Sequence, residues 1–388
     1  MRQFPASPIT VLIDDHPRHN LGESCGRDLA VNEVLDRPEM KELAELPIGY
    51  GTSQGDIRLR ELIAVRHGVA ADQVLVTSGA AAALFILGLS FCDGEIVIGL
   101  PCYPPTMDTV LGLGAAVQVV RSTFDHGYRI DLDEVRRQLS PRTSLVLFAS
   151  PQNPSGLRIA DSDVLAVLEH MGQICPTAYL VIDETFREAT FAEDPPPSLA
   201  GISPHLVTCA SLSKAYGVPG LRIGWLTTSD PALYKQLRLA KFNAAIACGS
   251  VDEFLAMRVL ANADGILAQR AQELVRARET VEAWVDANAG RVRWLRPDAG
   301  AFCAVELSSE RFDSAAMTRF HTRLRELGTS VAQGPWFGDA EQIIRIGLTY
   351  EPIDRLREGL QTITAAMDYA ERLKVRSARG PGHPGEAS

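Results

Sequence analysis

The chain lacks a basic surplus, a disulfide or metal framework, and any apolar stretch long enough to cross a bilayer; each absence removes a class of function. Its 38 Lys and Arg are outnumbered by 48 Asp and Glu, for a formal charge of -10. Phosphate backbones are bound by basic surfaces, so nucleic acid is not an expected partner. The seven cysteines are dispersed and form no CxxC pair, which reads as reduced thiols of a cytoplasmic protein. The eight histidines show no HExxH or comparable spacing, so no metal site is expected. The apolar run Ala80 to Cys92 is too short to span hydrocarbon and is bounded by Gly79 and Asp93-Gly94, so no membrane partner is expected. The first residues, Met1-Arg-Gln-Phe-Pro-Ala-Ser-Pro, carry no signal-type apolar core.

What is present is a globular composition, 46% hydrophobic and 22% charged over 388 residues, enough chain for more than one core. Asp56 to Gly68 reads as a helix with Ile57, Leu59, Leu62 and Ile63 inward. Short apolar strands then alternate with helices: Val74–Thr77, helix 79–90, Glu95–Ile98, helix 104–113, Ala116–Val120, Ser144–Phe148, helix 161–172, Tyr179–Ile182, Leu206–Ala210 and Arg222–Leu226. Continuous apolar strands between helices predict an α/β fold with a mostly parallel sheet covered on both faces. The pattern changes near 249–290, a long helical stretch. Val292–Leu295, Phe302–Leu307, helix 314–327, Ile343–Ile346 and helix 353–373 then suggest a smaller α+β domain. The expected division is an N-terminal segment 1–45 packing on the small domain or the substrate cleft, a large domain 46–277, a small domain 278–375 and a disordered tail 376–388.

The richest stretch is Ser211-Leu-Ser-Lys-Ala-Tyr-Gly-Val-Pro-Gly-Leu-Arg-Ile-Gly-Trp225. It sets Lys214 between Ser211, Ser213 and Arg222 on a glycine-rich turn. An amine there can form an imine with an aldehyde, while serine and arginine groups hold a phosphate. Pyridoxal 5'-phosphate (PLP) carries both, and its enzymes use a Schiff-base lysine.

Other candidates sit where open α/β sheets bind ligands, at strand ends. Asp183 closes Tyr179-Leu-Val-Ile-Asp183 and could pair with a pyridinium nitrogen, or simply cap a loop or helix. Asn153, in Ser150-Pro-Gln-Asn-Pro-Ser-Gly156, could bond a ring oxygen; the same residues are ordinary turn formers. Ser78, Gly79, Ala80 and Ala81 open a helix directly after a strand, where free N–H groups attract phosphate, although alanines there can merely pack. Tyr103 could stack on an aromatic ring or belong to the core. Tyr50, in Gly49-Tyr-Gly-Thr-Ser-Gln-Gly55, could reach a phosphate or be a turn aromatic. Arg345 lies inside an apolar strand and needs an anion, either a substrate carboxylate or an internal acid.

Taken in order, Tyr50…Gly55…Leu59-Arg60, Ser78-Gly-Ala, Pro101-Cys-Tyr103, Asn153-Pro-Ser-Gly156, Asp183, Ser211-Leu-Ser-Lys214, Arg222 and Arg345 resemble the class I/II aminotransferases, PLP-dependent enzymes of fold type I, from about Leu21 to about Leu373. The resemblance implies that 46–277 is the PLP-binding domain and that the substrates are a small-molecule amino acid and 2-oxo acid. It implies Lys214 as the Schiff-base residue and proton carrier between Cα and C4′, and Asp183 on the pyridinium. Asn153 would meet the ring oxygen and Tyr103 the ring face. Ser211, Arg222 and the amides of Gly79 to Ala81 would hold the phosphate, with Ser78 and Ser213 beside them. Tyr50 would reach the phosphate of a second subunit, implying a homodimer with shared sites. Arg345, Asn153 and Gly22 would line the substrate position, Gly22 from the loop Asn20-Leu-Gly-Glu-Ser24, which looks like the family's N-terminal substrate loop.

One position departs. Asp183-Glu-Thr-Phe186 places phenylalanine where the family usually has a tyrosine bonded to the ring oxygen, which implies a more basic lysine imine. Phenylalanine there looks similar to threonine-phosphate decarboxylases and to cyclising enzymes such as capreomycidine synthases, and the Leu212–Trp225 run looks similar to the latter. Transamination is therefore the expected reaction, with elimination, cyclisation or decarboxylation on the same cofactor as the alternative. A regulator sensing PLP is disfavoured, because about fifty residues precede Tyr50, too few for a winged helix and linker.

Overall fold

The computed structural model describes residues 3–192 and 194–378. Among the described residues, thirteen strands occur in three sheets: β1 His19–Asn20, β2 Val74–Thr77, β3 Glu95–Leu100, β4 Ala116–Arg121, β5 Thr143–Ala149, β6 Tyr179–Asp183, β7 Leu206–Ser211, β8 Gly224–Thr228, β9 Val292–Trp294, β10 Phe302–Leu307, β11 Thr329–Ser330, β12 Ala332–Gln333 and β13 Ile343–Gly347.

The large sheet has the order β2-β8-β7-β6-β5-β3-β4. Only β8 runs against its neighbours, so the sheet is mostly parallel, as its unbroken apolar strands predict. Its inner strands are largely buried on both faces, with β7 and β8 buried along their whole length. Helices Gly79–Phe91 and Pro231–Ala245 cover one face; Asp161–Ile174 covers the other.

The second sheet, β12-β13-β10-β9, is antiparallel and packs with Ser314–Glu326 and the final helix Ile353–Ala378. That helix reaches three residues into the segment expected to be a tail; 379–388 lie outside the described residues. The expected border at 277/278 falls within helix Ala263–Ala287. The long helical pattern near 249–290 resolves into Ser250–Ala261 and Ala263–Ala287, broken at Asn262.

The N-terminal segment joins the two regions. β1 pairs with β11, Gly347 N–H donates to Leu21 O at 2.7 Å, and Leu29 N–H donates to Gly217 O at 2.9 Å. Residues 20–29 thus run from the small sheet to the turn bearing Lys214. No described helix is long and apolar enough to cross a membrane.

Candidate active site

Parallel strands deliver their following loops to one rim, so β2, β3, β5, β6 and β7 bring Ser78, Tyr103, Asn153, Asp183 and Lys214 to the same edge. Because β8 is antiparallel, its beginning lies at that edge too, opposite Ser211 and Thr77. Arg222, two residues before β8, therefore joins the group. It adopts a left-handed conformation, φ 50°, which is strained for a non-glycine residue and occurs where a site holds it. This is also why the strand starts at Gly224 rather than at Arg222.

Lys214 projects its Nζ toward the N-terminal loop, 3.0 Å from Ser24 Oγ and 3.3 Å from Glu23 Oε1. The Phe186 ring lies 5.9 Å from the amine. Burial works against the ammonium, but Glu23, Cys25 and Tyr103 together outweigh it and raise the lysine's pKa. Burial likewise pushes Glu23 up, yet Lys214, the Ser24 N–H at 2.7 Å and Arg345 together hold it down to about 2.

Asp183 and Glu184 are adjacent acids with different employment. Glu184 accepts from Ser198 Oγ at 2.6 Å and from Leu199 N–H at 2.7 Å, and pairs with Arg187 and His67. Asp183 accepts from Thr185 N–H at 2.9 Å, and burial raises its pKa against the hydrogen bonds from Thr185 and Cys209 that lower it. A half-buried carboxylate without a cation favours binding one. Tyr103 precedes helix Pro104–Gly112, and burial raises its phenol's pKa. Phe186 is buried and meets Phe302 of β10 edge-on, centroids 4.6 Å apart.

The anion cradle is built from glycine and arginine. Arg222 Nη1 donates to Pro219 O at 2.9 Å and Ser213 Oγ at 3.3 Å, and Ser211 Oγ accepts from Ser213 N–H at 3.3 Å. Its Nη2 stands over Gly79, where any Cβ would collide with it. Gly79 has φ 81°, a conformation side chains resist. Helix Gly79–Phe91 starts here, presenting the N–H groups of Gly79, Ala80 and Ala81. Ser78 Oγ lies 3.8 Å from Cys248 Sγ. Gly79→Ala is expected to weaken PLP capture at least about tenfold, measured by fluorescence titration of the apoprotein.

Arg345 is 1% exposed. Its cross-strand neighbours are Ala304 and Ala332, small enough to leave the guanidinium between the rings of Phe302 and Phe337, 5.2 and 5.0 Å from their centroids. Nη1 donates to Asn153 Oδ1 at 2.8 Å and Nη2 to Gly22 O at 2.5 Å, while Nε has no partner. Neither acceptor is a carboxylate, so the cation remains available to an anion. Asn153 spends its oxygen on Arg345 and keeps its amide donor, the group a ring oxygen needs. Tyr50 stands apart from this assembly at 89% exposed. Glu23 and Ser24 are contacts that strand-end reasoning did not supply; they belong to the loop 20–24 that resembles the family's N-terminal substrate loop.

These residues match a PLP molecule: a lysine amine, a carboxylate short of a cation, and a cradle for a phosphate. Residues 33–360 match the family model "Aminotransferase class I and II". The chain is 27% identical over 339 residues to a capreomycidine synthase of Streptomyces vinaceus, spanning 87% of this chain and 85% of that protein. It is 31% identical over 353 residues to an arginine–pyruvate transaminase of Pseudomonas aeruginosa, spanning 84% and 83%. A solved PLP-dependent aminotransferase from Streptococcus suis superposes with a TM-score of 0.85 at 22% identity, over 94% of this chain and 98% of that one, which shows a common fold. The chain belongs to the class I and II aminotransferases, and its fold is that of the fold type I PLP enzymes.

Proposed function

We propose that Lys214 is the reacting amine of a PLP-dependent aminotransferase that exchanges an amino group between an amino acid and a 2-oxo acid. The observation that carries this assignment is the convergence on one rim of the Lys214 amine, the half-buried Asp183 carboxylate and the Arg222–Gly79 cradle. PLP, when bound, supplies the electron sink that stabilises negative charge at the donor's Cα.

The chain's own residues would do the rest. Asp183 holds the ring nitrogen's proton, and Asn153 donates its amide to the ring oxygen. Tyr103 covers one ring face. Ser211, Arg222 and the N–H groups of 79–81 fix the phosphate, with Ser78 and Ser213 orienting them. Arg345 orients the donor through its carboxylate. Lys214 Nζ would take up the proton lost from the donor's Cα and deliver it to the cofactor's C4′, and carry a proton the opposite way in the second half of the exchange. To act as a base it must first lose the proton that Glu23 favours.

A homodimer is supported by the loop around Tyr50, where Ile48 is 90% and Tyr50 89% exposed in the single chain, an arrangement suited to contact with a second subunit. Scattered free cysteines support a cytoplasmic location. The division into a large domain, 46–277, and a small one, 278–375, stands as part of this reading.

Mixing the holoenzyme with single amino donors tests the function. Stoichiometric loss of the cofactor's visible absorbance to the pyridoxamine form, restored by a 2-oxo acid, is expected. Product formation without any 2-oxo acid would instead select a lyase, cyclase or decarboxylase. Phe186 and the 27% identity to a capreomycidine synthase favour keeping that second reading.

A further inference from the structure

The N-terminal loop places a carboxylate inside the catalytic group that transamination itself does not call for. Glu23 lies between the two cations of the site: its Oε1 is 3.3 Å from Lys214 Nζ, and Arg345 donates to the carbonyl of the adjacent Gly22. The loop is pinned at both ends. Gly347 N–H bonds Leu21 O at one end, and Gly26 N–H bonds Lys214 O at the other. Gly347 also carries the Glu23 backbone so closely that a Cβ there would collide with it. The side chain of Glu23 is 17% exposed.

The charges do not balance once the reaction begins. Lys214 must be neutral to accept a proton from Cα, so it ceases to be Glu23's counter-ion. Arg345, whose Nε has no partner, receives the donor's α-carboxylate. The donor's α-nitrogen is bonded to the cofactor. Glu23 is then a largely buried carboxylate left with neutral donors alone, the Ser24 N–H at 2.7 Å, the Ser24 hydroxyl at 3.5 Å and the Cys25 thiol. A buried charge stripped of its partner is strongly unfavourable. A donor that carries a second cation on its side chain removes the imbalance, and a neutral donor does not.

We infer that Glu23 is a specificity-determining residue that selects amino donors bearing a guanidinium or ammonium on the side chain. The inference rests on the transamination reading for its rate measurements, but not for its binding measurement. The two relatives described above, an arginine–pyruvate transaminase and a capreomycidine synthase, are compatible with it; the charge balance at Glu23 carries it.

The experiment compares L-arginine with L-citrulline, its neutral near-isostere, on the holoenzyme. Single-turnover formation of the pyridoxamine form gives kcat/KM for each, and perturbation of the cofactor's absorbance on mixing gives each Kd before turnover. Arginine is expected to be preferred about 10²-fold. Glu23→Gln should bring the arginine-to-citrulline ratio to within about twofold of one, and Glu23→Asp should retain part of it. The ratio matters because a Glu23 that only tuned Lys214 would slow both donors equally. Equal loss for both, or no preference in the unmodified protein, overturns the inference. If no donor yields pyridoxamine, the transamination reading fails, and the Kd ratio still decides the role of Glu23. Should Glu23→Gln not fold, the ratio in the unmodified protein and Glu23→Asp decides.

Discussion

Lys214→Ala should abolish covalent cofactor capture and slow turnover about 10⁴-fold, while leaving a folded protein. Borohydride reduction of the unmodified holoenzyme should fix one pyridoxyl group to the chain, on the peptide containing Lys214; the variant should gain none. The substitution is tolerable because the lysine's amine reaches into the cleft, where it meets Ser24 and Glu23 rather than core side chains. A second lysine makes the result informative. Lys241 is 1% exposed, and burial lowers its pKa, the direction that favours a nucleophilic amine. Its Nζ, however, donates to Ser53 O at 2.8 Å. A pyridoxyl label recovered on Lys241, or undiminished in Lys214→Ala, would overturn the assignment of Lys214.

The rim was legible in the sequence because each residue on it follows, or just precedes, a strand recognisable by its unbroken apolar run. Asp183 ends β6, Ser78 follows β2, and Lys214 follows β7. Parallel order then sends them to one edge. Arg222 was legible as a residue but not as a geometry, because its left-handed backbone belongs to the turn and not to β8.

Elements held by distant partners left little local trace. β1, β11 and β12 are two residues each, too short for any period to show. Glu23 and Lys214 are 191 positions apart, and nothing within a loop announces such a contact. Helix Pro231–Ala245 did carry a signal that the strand-led reading passed over. Asp230 caps it through the N–H groups of Ala232 and Leu233, with proline at its first position. Arg345 shows a different gap. Its need for an anion followed from its place in an apolar strand, but the neutral oxygens of Asn153 and Gly22 that now hold it come from two other parts of the chain.

The second large effect concerns Asp183, and it has opposite signs with and without cofactor. In the protein alone, burial raises its pKa above the ordinary carboxylate value. A group raised in this way costs nothing at low pH, where it is protonated in both folded and unfolded chains. Its penalty appears as the pH rises through the folded-state pKa. Asparagine keeps an oxygen to accept from Thr185 N–H and carries no charge. Apo Asp183→Asn should therefore melt a few degrees higher than the apo parent at neutral pH, the difference fading toward about pH 4. Bound PLP reverses the balance, because a protonated ring nitrogen supplies the cation that the carboxylate lacks. An amide cannot hold that proton by charge, so the variant should bind PLP more weakly and turn over about 10²–10³-fold more slowly. Calorimetric melting of both proteins, with and without PLP, checks the stability arm across pH, and single-turnover absorbance checks the rate. An apo variant that melts lower at neutral pH would mean that the Asp183 carboxylate is stabilised by the fold itself and is not reserved for a ligand's cation.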